Sequence, residues 1–219
     1  MALKLYGHPM STCASRVLAC LYEMDADFEL VLVNLQARDN KQPSYLATKN
    51  PFGKIPALED GDLTLFESRA INGYIVTKYK GTGPDLLRLD NLKESALIKV
   101  WMEVESHSFN PPISAVVYQI LIIPLLGGTT DDQVVEANVE KLAMVLDVYE
   151  ERLSKSKYLA GDFYSLADLH HIPYIHYFMK TPKASLISSR RHVKAWWDDI
   201  SSRPATKKMM EGMSIGGNA

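Results

Sequence analysis

At 219 residues the chain suits one large domain or two small ones, and either could bury a sufficient core. Its 47% apolar and 23% charged residues are ordinary for a globular protein and exclude a disordered one. A net charge of −2 gives no general reason to expect nucleic acid or an anionic membrane as partner.

The densest basic cluster, Arg190, Arg191, His192 and Lys194, is short and reads as a solvated helix face. No apolar run approaches the roughly 18 to 20 residues of a membrane span, and the longest, Ile120 to Leu126, is broken by Pro124. The N-terminus lacks a charged start followed by an apolar signal core, so export is not expected. Cys13 and Cys20 lie on one expected helix and cannot form a disulfide framework. A reducing compartment is the default, and a cytoplasmic location the simplest expectation.

Taken in chain order, Leu3 to Tyr6 reads as a short strand stopped by Gly7 and Pro9. Ala14, Val17, Leu18 and Leu21 then form one apolar stripe of a helix over 14–24. Phe28 to Val33 is a second strand, so strand, helix and strand make a βαβ unit with parallel strands. A polar stretch, Asn34 to Ser44, leads to the turn Asn50-Pro51-Phe52-Gly53. Ile55 to Leu58 and Leu63 to Phe66 flank Asp60-Gly61 as a hairpin, and a helix through Ala70, Ile71, Tyr74 and Ile75 follows.

Lys80 to Pro84 is rich in Gly and Pro and reads as a linker. From Asn91 on the pattern is helical. One long helix is expected to end before Pro111-Pro112, and a strongly amphipathic one carries Val135, Val139, Leu142, Leu146, Tyr149 and Leu153, capped by Asp131 or Asp132. Ser165 and Asp168 form a variant of the capping box. Val193, Trp196, Trp197 and Ile200 mark the last helix, stopped near Pro204, and the tail from Gly212 is expected to be loose. The reading is an α/β domain over 1–80, a linker over 81–90 and an all-α domain over 91–219.

Chemistry gathers in three N-terminal segments. Ser11 and Thr12 sit where the first helix begins, where free backbone N–H groups favour negative charge. Alone, Ser11 is as well explained as a simple cap. Pro56 removes a ladder donor at the start of the third strand, which suits an edge, a bend or a cis bond; a cis Ile55-Pro56 would turn the Ile55 N–H and C=O toward an extended peptide. Ser68, at the next helix start after Glu67, could cap that helix or bind a ligand carboxylate.

The run Asn50-Pro51-Phe52-Gly53-Lys54-Ile55-Pro56-Ala57-Leu58-Glu59-Asp60-Gly61-Asp62, continuing to Phe66-Glu67-Ser68-Arg69-Ala70-Ile71, closely resembles the glutathione transferases, in particular the phi class of plants. Tyr158 to Leu169 is similar to the family's helix-capping segment, and the resemblance covers the whole chain. It implies a thioredoxin-like first domain, an all-helical second domain, a homodimer, and glutathione as cosubstrate with no permanently bound cofactor.

By the same resemblance, Ser11 matches the hydroxyl that contacts the glutathione sulfur, with Thr12 beside it. Lys41 matches the lysine that meets the glycyl carboxylate, Ile55 makes two backbone bonds to the cysteinyl part beside a cis Pro56, and Glu67 and Ser68 hold the γ-glutamyl end. Asn40 stands where the family often has histidine, and Lys54 where it often has glutamine, which adds charge beside the peptide. A hydrophobic second substrate would meet Met10, Thr12, Leu35, Tyr118 and Ile122.

The expected activity is conjugation of the glutathione thiolate to hydrophobic electrophiles, with hydroperoxide reduction as an added reaction. The alternatives are a carrier of flavonoid-like aromatics and a thiol-transferase acting through Cys13. The positions of a Cys-x-x-Cys pair are Ser11 and Ala14, so Cys13 is out of register; a packed thiol is favoured, with glutathionylation the option if it is exposed. Cys20 is expected in the core. His170, His171 and His176 do not fall on one helical face at i, i+4, so no metal site is expected.

Overall fold

The computed structural model describes residues 2–214. They form two compact units, one of residues up to Leu86 together with those from Arg203 on, the other Leu87–Ser202.

In the first unit, β1 (Leu3–Gly7) is followed by α1 (Thr12–Glu23), β2 (Phe28–Leu32), a 3₁₀ turn (Asp39–Lys41), α2 (Pro43–Thr48), the hairpin β3 (Ala57–Asp60) and β4 (Leu63–Phe66), and α3 (Ser68–Lys78). The sheet order is β2-β1-β3-β4, with β1 and β2 parallel and the other pairs antiparallel. Along β1 the residues Leu3, Leu5 and Gly7 are buried while Lys4 is exposed, the period of two that one covered face requires. Every residue of α1 from Ala14 to Leu21 is buried, because the helix packs on α3 and on the last helix, α12 below.

The second unit comprises α4 (Leu92–Val104), α5 (Asn110–Val117), α6 (Ile123–Leu125), α7 (Asp132–Leu153), α8 (Leu166–Leu169), α9 (Ile172–Phe178), α10 (Ser185–Ser188) and α11 (Arg191–Ser202); α12 (Pro204–Glu211) returns to the first unit. Asp131 caps α7 by accepting from the Gln133 and Val134 N–H groups. Tyr149, fully buried on α7, stacks on Phe109 and meets Trp101, Trp196 and His171 edge-on, and its hydroxyl lies 2.9 Å from His171 Nε2.

Four expectations need correcting. The helix expected to end before Pro111-Pro112 continues: Glu105–Phe109 winds as a π turn, closed by the Asn110 N–H on the Glu105 carbonyl, and this wider turn accommodates the two donors that the prolines lack. A second π turn, Tyr118–Ile122, leads into α6. The resulting Leu92–Leu125 helix is, by length and composition alone, long and apolar enough to cross a membrane: an 18-residue window within it reaches a mean hydropathy of 1.3, because the residues that interrupt its apolar run are mostly uncharged polar residues and prolines. It packs through Phe109, Ile113, Val116 and Val117, all buried, against α7 and α9.

The polar stretch contains α2, and a helix follows Pro204. Both begin on a proline at the first helical position, where a missing N–H costs nothing. With Thr206 and Met209 buried and Arg203 paired to Glu23 at 2.6 and 2.8 Å, α12 joins the first unit rather than the helical one. The tail is not loose at its start, since Met213 is fully buried; its last residues, 215–219, lie outside the described residues.

Candidate active site

Sheet register brings the three N-terminal segments to one end of the sheet. Tyr6, next to the end of β1, pairs with Ala57, and Ala57 pairs with Phe66. The residues flanking this row are Gly7, leading to Ser11; Pro56, preceding β3; and Glu67, following β4. A Cβ on Gly7 would lie 3.0 Å from that of Ala14 and 3.9 Å from that of Pro56, so the helix start and the proline close on the same point of backbone.

Ser11 is the N-cap of α1, in extended conformation, and its Oγ accepts from the Ala14 N–H at 3.4 Å. Capping uses an oxygen lone pair and leaves the hydroxyl proton available to an acceptor. The first turn of α1 holds no acidic residue, so nothing in it opposes an anion at the helix start. The turn itself is fastened: Ser11 N donates to the His8 carbonyl at 2.9 Å, Met10 N to His8 Nδ1 at 3.2 Å, and Ser15 Oγ to the Pro9 carbonyl at 2.5 Å. From the C-terminal side Gly212 meets Pro9, where a Cβ would approach to 2.8 Å.

The Ile55-Pro56 bond is cis, and β3 starts only at Ala57, two residues later than the sequence pattern suggested. Ahead of it, Asn40 Nδ2 donates to the Gly53 carbonyl at 2.7 Å and Lys41 Nζ to the Phe52 carbonyl at 3.2 Å. Lys54 is exposed, and its carbonyl accepts from the Tyr45 hydroxyl at 3.0 Å. Tyr45, on α2, had no role in the sequence reading. It is buried, which pushes its pKa up to about 12, so it stays a neutral donor.

Glu67 holds φ at +69°, a left-handed value that is strained for a residue with a Cβ. It precedes Ser68, the buried first residue of α3. Arg16 Nη1, reaching from fully buried Arg16 on α1, donates to Ser68 Oγ at 2.8 Å and to Cys13 Sγ at 3.7 Å. Asn72 Nδ2 donates to the Arg16 carbonyl at 3.1 Å, tying α3 to α1 a second time. Neither Arg16 nor Asn72 was marked by motif or spacing.

Met10 and Thr12 are half-buried and Leu35 is exposed in the first unit; in the second unit Tyr118 is exposed and Ile122 half-buried on the second π turn. Cys13 is half-buried, and Cys20 is fully buried, which raises its thiol pKa far above the ordinary value. Ser165 and Asp168 make the capping box. Asp168 accepts from the Ser165 N–H at 3.1 Å, the Leu159 N–H at 3.0 Å and Trp196 Nε1 at 3.0 Å, while Ser165 Oγ accepts from the Ala167 N–H at 3.2 Å.

Residues 1–77 match the family model described as glutathione S-transferase, N-terminal domain, and residues 109–204 the one described as glutathione S-transferase, C-terminal domain. Glutathione S-transferase F13 of Arabidopsis thaliana is 57% identical over 215 residues, 98% of each chain. Among solved structures, glutathione transferase F7 from Populus trichocarpa is similar with a TM-score of 0.95 at 64% identity, covering 98% of this chain and 100% of that one. Glutathione S-transferase I from maize, in complex with an atrazine glutathione conjugate, is similar with a TM-score of 0.93 at 46% identity, covering 99% and 100%.

Proposed function

This chain belongs to the glutathione S-transferase family and resembles its plant phi class, and we propose that it joins the glutathione thiolate to hydrophobic electrophiles with Ser11 as the hydroxyl that stabilises the thiolate. The observation that carries the serine assignment is the Ser11 N-cap itself. Its lone pair serves the helix, its proton is available, and it stands at the sheet end that also bears the cis Ile55-Pro56 and Glu67-Ser68.

The magnitudes are sufficient. A free thiol titrates near pH 8.5, and bringing it to about 6.5 takes roughly 2.7 kcal/mol in favour of the anion. A hydroxyl hydrogen bond to a charged acceptor supplies roughly 1.5–3 kcal/mol, and a helix N-terminus about 0.3–1, up to about 2 when partly buried. In the reaction the sulfur forms a bond to the electrophilic carbon, the leaving group departs with its electron pair, and the thiol proton goes to solvent.

In this reading Ile55 binds the cysteinyl backbone, Glu67 and Ser68 the γ-glutamyl end, and Lys41 the glycyl carboxylate, with Asn40 and Lys54 beside it. The side chains of Asn40 and Lys41, now on the Gly53 and Phe52 carbonyls, would hold that loop and reach the peptide from it. Met10, Thr12, Leu35, Tyr118 and Ile122 stay the proposed contacts of the electrophile, and a cytoplasmic homodimer the proposed form. Residues 1–80, 81–90 and 91–219 remain the proposed domains and linker, with α12 now assigned to the first. No specific observation favours the carrier or the Cys13 thiol-transferase alternative.

A steady-state assay with glutathione and a halogenated nitroaromatic tests the proposal. Turnover that collapses in Ser11→Ala supports it, and a rate unchanged in that variant removes Ser11 from the role.

A further inference from the structure

The geometry points to Arg16 as a positioning residue that makes Ser68 a hydrogen-bond donor toward a ligand carboxylate. The inference rests on the reading of Ser68 as a glutathione contact and adds a residue and a polarity to it.

Arg16 lies in the middle of a helix whose neighbouring residues, Ser15, Val17, Leu18 and Ala19, are all buried, and it is itself fully buried. A guanidinium at such a position is costly unless hydrogen bonds meet its charge. One of those bonds runs from Nη1 to Ser68 Oγ at 2.8 Å, a charge-assisted donor on a serine that is itself buried.

The chemistry of a hydroxyl then sets the direction. Ser68 Oγ can accept and can donate one proton. With Arg16 supplying a proton to the oxygen from behind, the Ser68 hydroxyl has its own proton left for the ligand side. It therefore greets an anion and not an ammonium. The positive charge behind the serine reinforces the preference, and the N-terminus of α3, whose first residue is Ser68, adds to it.

Ser11 repeats the arrangement at the other end of the peptide: an N–H behind, from Ala14, and the proton outward. The two serines thus present donors to two anions, a carboxylate and a thiolate. Each is oriented by a group of α1, and Arg16 is the one reaching from α1 to α3. Asn72, bonded to the Arg16 carbonyl, holds the two helices in register at that level.

The test is a double-mutant cycle of Arg16→Met with Ser68→Ala in the full-length protein. It is read as KM for glutathione, KM for the electrophile and kcat. A parallel series uses 4-aminobutyryl-cysteinyl-glycine, which lacks the α-carboxylate of the γ-glutamyl group. Arg16→Met is expected to raise the glutathione KM about tenfold, with the electrophile KM unchanged and kcat within about threefold. The increase should vanish in the Ser68→Ala background and with the analogue. Arg16→Lys, which can still donate, should recover most of the affinity.

If Arg16→Met does not fold, Arg16→Gln takes its place, with a smaller rise in glutathione KM of at least about threefold expected. An effect that simply adds to that of Ser68→Ala, or that is equal for glutathione and the analogue, overturns the role of Arg16 and leaves the reading of Ser68 intact. A glutathione KM untouched by Ser68→Ala overturns both.

Discussion

Asn40 Nδ2 donates to the Gly53 carbonyl at 2.7 Å, and Gly53 holds a φ of +58° at the point where the two loops meet. A Cβ at Gly53 would lie 2.8 Å from the Asn40 carbonyl oxygen and 2.9 Å from Lys41 Cδ, so the contact exists only because this residue has no side chain. Gly53→Ala should therefore cost about 2–4 kcal/mol of stability, through left-handed strain and overpacking together. Because Asn40 and Lys41 must move, the glutathione KM should rise more than the electrophile KM. Denaturant titration and steady-state kinetics check the two parts, and a variant as stable as the parent would refute the first.

In the role proposed for Ser11, removing its hydroxyl takes away a donor to the sulfur anion while the helix start remains. Ser11→Ala should lower kcat/KM by about 10- to 100-fold, the equivalent of roughly 1.4–2.7 kcal/mol. The pH profile of the remaining activity should move to higher pH, since a thiolate with less stabilisation forms at higher pH. The ultraviolet absorbance of bound thiolate, followed against pH, measures this directly.

Gly212 touches the turn that leads to Ser11, with the position of its missing Cβ 2.8 Å from Pro9 Cβ. The Pro9 carbonyl is already held at 2.5 Å by Ser15 Oγ, so the turn has little room to yield. Gly212→Ala is expected to displace the turn carrying Ser11 and lower kcat several-fold, with a stability loss on the order of 1 kcal/mol. An enlarged KM with unchanged kcat would speak against a displaced Ser11.

Asp168 is fully buried, and burial pushes its pKa up from 3.8 to about 6 in spite of its hydrogen bonds from Leu159, Trp196 and Ser165. Between those values the folded chain binds a proton that the unfolded chain has released. The stability contributed by this group is thus complete below about pH 4 and is lost as pH rises through about 6, roughly 3 kcal/mol in all. Urea unfolding of the parent and of Asp168→Asn at pH 4.5 and 7.5 isolates the effect. The stability of the parent relative to the variant should be greater at the lower pH, and a difference that does not change with pH would disprove the assignment.

Much of this was legible from local patterns. The βαβ unit, the hairpin at Asp60-Gly61, the α7 stripe with its Asp131 cap and the Ser165–Asp168 box each depend on residues within a few positions of one another. The helices that were missed have one physical thread. Pro204 and the pair Pro111-Pro112 were read as helix ends, whereas Pro204 opens α12 and the pair lies in the first turn of α5, just past a π turn; Pro43, which carried no reading of its own, opens α2 in the same way. Arg16 was hidden for another reason: one of its partners, Ser68, lies 52 positions away, and no local period announces such a contact.

The return of α12 to α1 has a consequence for synthesis. Leu87–Ser202 is a continuous stretch and can complete its own packing as soon as it has left the ribosome, but the first unit is made of two pieces, one at each end of the chain. Until Arg203 and α12 emerge, Glu23 lacks its ion-pair partner and the side of α1 that packs on α12 stays open to solvent. The N-terminal unit is translated first and finished last, which reverses the usual order in which domains mature on a growing chain.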